Sequence, residues 1–216
     1  MPDRSDARES NSELRPGVLT EQEGPRVLPA AYPLDDFYVR AGLPLPALET
    51  VEPAHMPEPY RALLAHNNDM TPTLSAFHAS IIHLRVLGRE YRGDFYSREV
   101  VLLKEETDVP VEFGAIRINL ALFAPAARRH ILDERVPLGD LLRVHAVAHS
   151  SRPKAFFRLC SDALMMQALN LREPAVLYGR RNTLLDPVKR PLAEVVEILP
   201  PLDSGAPGFL CPPAKS

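Results

Sequence analysis

Apolar side chains fall at two different spacings along the chain, and the change from one to the other outlines the elements. The stretch PYRALLAH, 59–66, has apolar residues at helical spacing and stops at the Asn67-Asn68 pair, a turn signal. Asp69 or Thr71 then suits a helix cap, with Pro72 in the first turn, where its missing N–H is tolerated. The run LSAFHASIIHLRVLG, 74–88, reads as the continuation of that helix, closed by Gly88. From Tyr91 the pattern changes. YRGDFYSREVVLLKEE alternates and is enriched in β-branched and aromatic residues, so it predicts a strand ending near Asp108 and Pro110.

VEFGAIRINLALF, 111–123, predicts the hairpin partner of that strand, and PAARRHILDE, 125–134, a short helix. VPLGDLL, 136–142, opens a further element. VHAVAHS and KAFFRLC read as strands on either side of a turn at Ser151–Pro153, and Ser161 or Asp162 caps a helix over DALMMQALN. The last pattern, AVLYGRRNTLLDPVKRPLAEVVEILPP, 175–201, predicts a hairpin ended by its double proline. Helices, then a hairpin, a helix and mostly antiparallel strands give an α+β fold: an antiparallel sheet with helices packed on one face.

The 23 prolines of this 216-residue chain mark its divisions. Residues 1–26 are polar, mixed in charge and poor in large apolar side chains, which predicts a disordered tail. Seven prolines between 27 and 59 exclude a long helix or a central strand, while Tyr32, Phe37 and Tyr38 suit an ordered arm lying on the core. Residues 60–201 form the expected domain, and the breaker-rich 202–216 a flexible tail.

Composition narrows the function classes. A net charge of -3 gives no electrostatic reason to expect nucleic acid or an acidic membrane as partner. No apolar run is long enough to span a bilayer, and the polar start lacks the apolar core of a signal peptide, so the expected location is cytoplasmic. Cys160 and Cys211 are too few for a disulfide framework and lack metal-type spacing; a reduced compartment fits them. His145 and His149 stand four apart, but valines around them argue for a strand, so no metal and no cofactor are expected. Dinucleotide, nucleoside-triphosphate and α/β-hydrolase motifs are missing from the sequence.

Two charged residues break the apolar pattern. On a strand Arg98 shares a face with Tyr96, Val100 and Leu102, an expensive place for a cation unless it is paired. It meets either an internal carboxylate or an anionic ligand, for which its planar fork is suited. On LAEVVEILPP, Glu194 and Glu197 fall on opposite faces, each among apolar residues; one suits solvent and the other a site, unless both lie at a solvated sheet margin. A carboxyl group desolvated in a pocket exchanges protons near neutrality. Arg180 and Arg181 also point to opposite faces, one toward a pocket and one toward solvent.

Four segments, HNNDMTPTL, FYSREVVLL, VPLGDLL and YGRRNTLLDPVKRPLAEVVEILP, stand in an order that resembles the chorismate–pyruvate lyases and their wider chorismate lyase-like superfamily, as a divergent member. The resemblance implies that Arg98 holds a ring carboxylate with help from the Met70 backbone. It also implies that Leu138 contacts the far side of the ring and Glu197 its hydroxyl. The activity implied is that of a carbon-oxygen lyase eliminating pyruvate from chorismate to leave 4-hydroxybenzoate, as in ubiquinone biosynthesis. Arg98 and Glu197 would be its catalytic residues, without a cofactor. Effector domains of GntR-type regulators share this fold. The alternative expectation is therefore a non-catalytic, sensor-type domain binding a small aromatic acid, although residues 1–60 are too proline-rich and acidic for a winged helix.

Overall fold

A computed structural model describes residues 28–202 and Cys211; the expected tails at 1–26 and beyond 202 lie, Cys211 apart, outside the described residues. Six helices and seven strands follow in chain order. They are α1 (Leu34–Ala41), β1 (Leu48–Thr50), α2 (Tyr60–Leu64), α3 (Met70–His78), β2 (Ile82–Arg92), β3 (Phe95–Lys104) and β4 (Pro110–Asn119). Then come α4 (Pro125–Leu132), α5 (Leu138–Val144), β5 (Ser150–Cys160), α6 (Ala163–Leu169), β6 (Val176–Leu185) and β7 (Pro191–Leu199). The strands make one sheet in the order β1-β5-β6-β7-β4-β3-β2, with every pairing antiparallel. This is the expected α+β architecture.

Registers at the centre of the sheet fix which residues share a face. Arg98 lies opposite Ile116, which pairs with Val195, which pairs with Asn182. One step along, Val100, Gly114, Glu197 and Arg180 form the next row; Leu102 and Glu112 begin the third. Because side chains alternate, these three rows look to the same side. Over that side α2 and α3 bury Tyr60, Leu64, Met70 and Leu74 against Leu84, Val100 and Leu102, while α4 and α5 cover Tyr96, Ile116 and Ile118. The opposite face is also packed: α1 and α6 bury Leu34, Phe37, Tyr38 and Met165 against Phe113, Phe157, Val196 and Ile198. Helices expected over one face thus serve both.

Three local readings are corrected. The apolar run at 81–87 is not the end of a helix: α3 stops at His78, Ala79 takes a left-handed φ of 48°, and β2 begins at Ile82. Half of β2 is covered by the α2–α3 layer, so its apolar positions are crowded enough to mimic a helical pattern. Residues 144–149 form no strand, because α5 runs to Val144 and Ala146 is left-handed. Pro153 sits inside a continuous β5 rather than in a turn; a register shift follows it, and β1 pairs only with 157–159, so no ladder bond is lost on that side. Within the proline-rich 28–59 segment the short α1 and edge strand β1 fit between prolines.

The cysteine reading is corrected as well. Cys160, at the end of β5, is joined to Cys211 by a disulfide. A separation of 51 residues carries no spacing signal, so only the folded chain brings the two sulfurs together.

Candidate functional site

A cavity is bounded by the β3–β4–β7–β6 floor and by the starts of α3 and α5, with an empty volume of about 610 Å³ including the open solvent at its mouth. Met70, Arg98, Leu138 and Glu197, each expected at the site, all line it. Met70 and Leu138 are the first residues of α3 and α5, whose starts pack together: the space a Cβ on Gly139 would take lies 3.4 Å from both Asp69 Cβ and Thr71 Oγ1.

Arg98 is 2% exposed, and its Nε and Nη1 have no hydrogen-bond partner. It takes part in none of the ion pairs among the described residues. Burial depresses its proton affinity, and the neighbouring Tyr96 and Glu134 offset this only in part. Glu134 is engaged elsewhere, accepting from the Tyr96 hydroxyl and pairing with Arg89 at 3.1 Å. The internal salt bridge considered for Arg98 is therefore not formed. A buried guanidinium with idle donors is an unfavourable arrangement that an anion relieves.

The α3 N-terminus stands at the same cavity. Its first-turn N–H groups have no intrahelical acceptor, and the Asp69 side chain caps none of them. Asp69 is instead held by His149, whose Nε2 lies 3.1 and 3.0 Å from its two carboxylate oxygens, while His149 Nδ1 reaches Val147 O at 2.9 Å. The α3 N-terminus and Arg98 thus both line the cavity, one with partial and the other with full positive charge.

At Glu197 the chemistry reverses. Glu197 is ion-paired with Arg180, a residue with no exposed surface. Arg180 also donates to the carbonyls of Leu64 at 3.0 Å, His66 at 3.0 Å and Asn68 at 3.3 Å. It closes the C-terminal end of α2 and fixes the turn that leads into α3. Of the two arginines in the Arg180-Arg181 pair, Arg180 faces the cavity side. Arg181 lies on the opposite face with Glu194, at 3.3 Å.

Glu112 and Asn182 also line the cavity, and sequence reasoning missed both. Glu112 is 4% exposed, and its Oε2 has no hydrogen-bond partner. Burial holds its carboxyl well above the usual carboxylate range, and the Glu197 charge pushes it further, against a smaller pull from Arg180. Asn182 donates to Ser151 Oγ at 2.8 Å and leaves Oδ1 unpartnered. A usable signal for Glu112 existed: alternation along VEFGAIRI puts it on the apolar face of Ile116 and Ile118, as with Arg98 on its own strand. No group of three or more possible metal ligands occurs among the described residues.

No family model matches the chain, and no curated protein sequence matches it either. Solved structures do. PhnF from Mycobacterium smegmatis matches at 14% identity and a TM-score of 0.45, covering 61% of this chain and 63% of that one. This chain thus spans less than two thirds of that protein. The PhnF effector domain matches at 14% identity and a TM-score of 0.44, over 61% and 88% of the two chains. The ligand-binding domain of a GntR-family transcriptional regulator from Bordetella bronchiseptica matches at 11% and 0.44, over 55% and 85%.

These matches correct the expected activity: the chains are regulator domains rather than lyases, so chorismate cleavage to 4-hydroxybenzoate and pyruvate is withdrawn. With it go the catalytic roles of Arg98 and Glu197. The expectation that nucleic acid is no partner also gains no support, the matched proteins being transcriptional regulators. Among the described residues no helix is long and apolar enough to cross a membrane.

Proposed function

We propose that the cavity is a non-catalytic binding site for a small organic acid whose carboxylate sits between Arg98 and the first turn of α3. One observation carries this reading: the buried Arg98 guanidinium faces a cavity with two of its nitrogens unpartnered. An anion supplies the missing acceptors, and in a site of low polarity such charge-assisted bonds are about twice as strong as neutral ones. Met70 contributes its backbone N–H at the head of α3. Leu84, Val100, Ile116, Leu138 and Leu184 supply apolar walls for the body of the ligand. A planar ring suits those walls, and a small aromatic acid is the ligand class this reading favours.

The role is that of a sensor. Because α3 and α5 cover the site, occupancy of Arg98 adds a tie to a helical layer that is held to the sheet by packing and by hydrogen bonds such as those of Arg180 and Tyr60. The test is calorimetric titration of the full chain with benzoate, 4-hydroxybenzoate and cyclohexanecarboxylate. Binding that is lost in Arg98→Met supports the reading. Failure of all three acids to bind, or binding indifferent to Arg98, overturns it.

A further inference from the structure

Glu112 has no structural partner that explains it. It lies on β4 opposite Leu102, four residues along β3 from Arg98. At about 3.3 Å per strand residue the two backbones are about 13 Å apart along the sheet. Both side chains line one cavity, so their polar ends approach each other from opposite ends of its floor. Glu197 and its partner Arg180 occupy the row between. The charged groups lining this space are Arg98 on β3, Glu112 on β4, Glu197 on β7 and Asp69 before α3; Glu197 is paired with Arg180 behind it, and Asp69 with His149.

We infer that Glu112 is the cavity's second ligand anchor: its carboxyl group hydrogen-bonds a neutral oxygen substituent on the end of the ligand away from the carboxylate held by Arg98. This rests on the carboxylate-binding reading above and adds to it the polarity of the ligand's other end. Two facts of the site argue for it. The Glu112 Oε2 is buried without a partner, and burying an idle polar atom is unfavourable unless something arrives to bond it. Charge gives the second. Burial and the nearby Glu197 favour the protonated form of Glu112, and Glu197 and Asp69 already have their partners in Arg180 and His149, so Arg98 is the lining charge without an ion-pair partner.

A monocarboxylate gives Arg98 the counter-charge it lacks. A ligand with an ammonium group at its far end would instead force Glu112 to ionise in the interior. A dicarboxylate would bring a second anion against Glu197. The favoured class is thus a monocarboxylate bearing a hydroxyl or carbonyl oxygen remote from the acid group, with the carboxylic acid of Glu112 donating to that oxygen.

The experiment compares benzoate, 3-hydroxybenzoate, 4-hydroxybenzoate and 4-(aminomethyl)benzoate on the full chain, wild type against Glu112→Gln and Glu112→Leu. At least one hydroxylated acid is expected to bind about tenfold more tightly than benzoate, the effect of one hydrogen bond of about 1.4 kcal/mol. Glu112→Leu removes that advantage and leaves benzoate affinity unchanged; Glu112→Gln, which still donates, keeps most of it. An infrared carbonyl band of a protonated carboxyl group near neutral pH, absent in Glu112→Gln, reads the same group without any ligand.

Benzoate and its hydroxylated forms binding equally, through Arg98 and indifferent to Glu112, would sink this inference and leave the carboxylate site standing. Preference for the ammonium compound with release of a proton would sink it too. No Arg98-dependent binding by any of the four overturns both readings together.

Discussion

Two arginines lie on the same face of the sheet and are both buried, yet they do opposite things. Arg180 spends its donors on Glu197 and on three main-chain carbonyls from the α2–α3 connection. Arg98, with two strands between it and Arg180 on the same face, has two nitrogens with no partner. A buried guanidinium whose hydrogen bonds are all made inside the protein is a brace. One whose bonds are left open, at the wall of a hollow, is a receptor. Burial and charge are the same in both; only the account of donors and acceptors separates them.

The most forceful way to break this contrast is at the brace. Arg180→Met should destabilise the domain by about 3–5 kcal/mol, because it leaves Glu197 charged, buried and beside Glu112. Three carbonyls lose their donor as well. Denaturant midpoints read the loss, and the double variant Arg180→Met/Glu197→Met should recover much of it. A midpoint close to wild type for the single variant would deny that Arg180 braces anything.

The same substitution at the receptor should do the reverse. Arg98→Met removes a desolvated cation that has no ion pair and two idle nitrogens, offset only in part by Tyr96 and Glu134, so the ligand-free domain should hold its stability or gain about 1–3 kcal/mol. Carboxylate affinity should fall about a hundredfold, matching the loss of two charge-assisted hydrogen bonds of about 1.5 kcal/mol each. Marked destabilisation of the ligand-free protein would place Arg98 with the braces.

How much of this contrast could be read beforehand follows from the kind of signal each residue sends. Strand parity alone put Arg98 and Glu197 on apolar faces, and both line the cavity. The same rule applied to VEFGAIRI would have found Glu112. What parity cannot show is pairing across strands: Arg180 and Glu197 are 17 residues apart, and the carbonyls they lock belong to a turn more than a hundred residues earlier. The β4, α4, α6 and β6–β7 patterns were legible because each is bounded by proline, glycine or a cap. The β2 strand was not, since its apolar run at 81–87 carries no breaker until Gly88, and the α2–α3 layer, not local spacing, decides its conformation. Residues 144–149 failed for the reverse reason. Their alternation is local, and a left-handed Ala146 together with the His149–Asp69 contact overrides it.

A smaller effect sharpens the chemistry at the acidic end. The Glu112 carboxyl is held above its usual value in the folded chain, so the folded state binds a proton there more tightly than the unfolded one. Stability from this group is therefore complete below the unfolded carboxylate value, about 4.3, and is lost as pH rises through the higher folded value. Melting temperatures of wild type and Glu112→Gln should diverge on the alkaline side, the wild type falling faster. Parallel curves from acid to alkaline pH would mean that Glu112 titrates normally.

The smallest effect belongs to the far face, where Arg181 and Glu194 stand one residue and three residues along the same strands from Arg180 and Glu197. Their side chains keep 11% and 15% of their surface, the pair is separated by 3.3 Å, and Thr183 Oγ1 donates to Glu194 at 2.9 Å. Water that reaches both ends screens their attraction and solvates whichever is left alone, so losing the negative charge strands no bare ion. Burial already raises the Glu194 carboxyl despite Thr183 and Arg181, a sign that its ionised form gains little there. Glu194→Gln should therefore cost less than about 1 kcal/mol and leave carboxylate binding untouched. Were it to cost as much as Arg180→Met, exposure would not be what separates the two ion pairs, and the brace at the cavity would need another explanation.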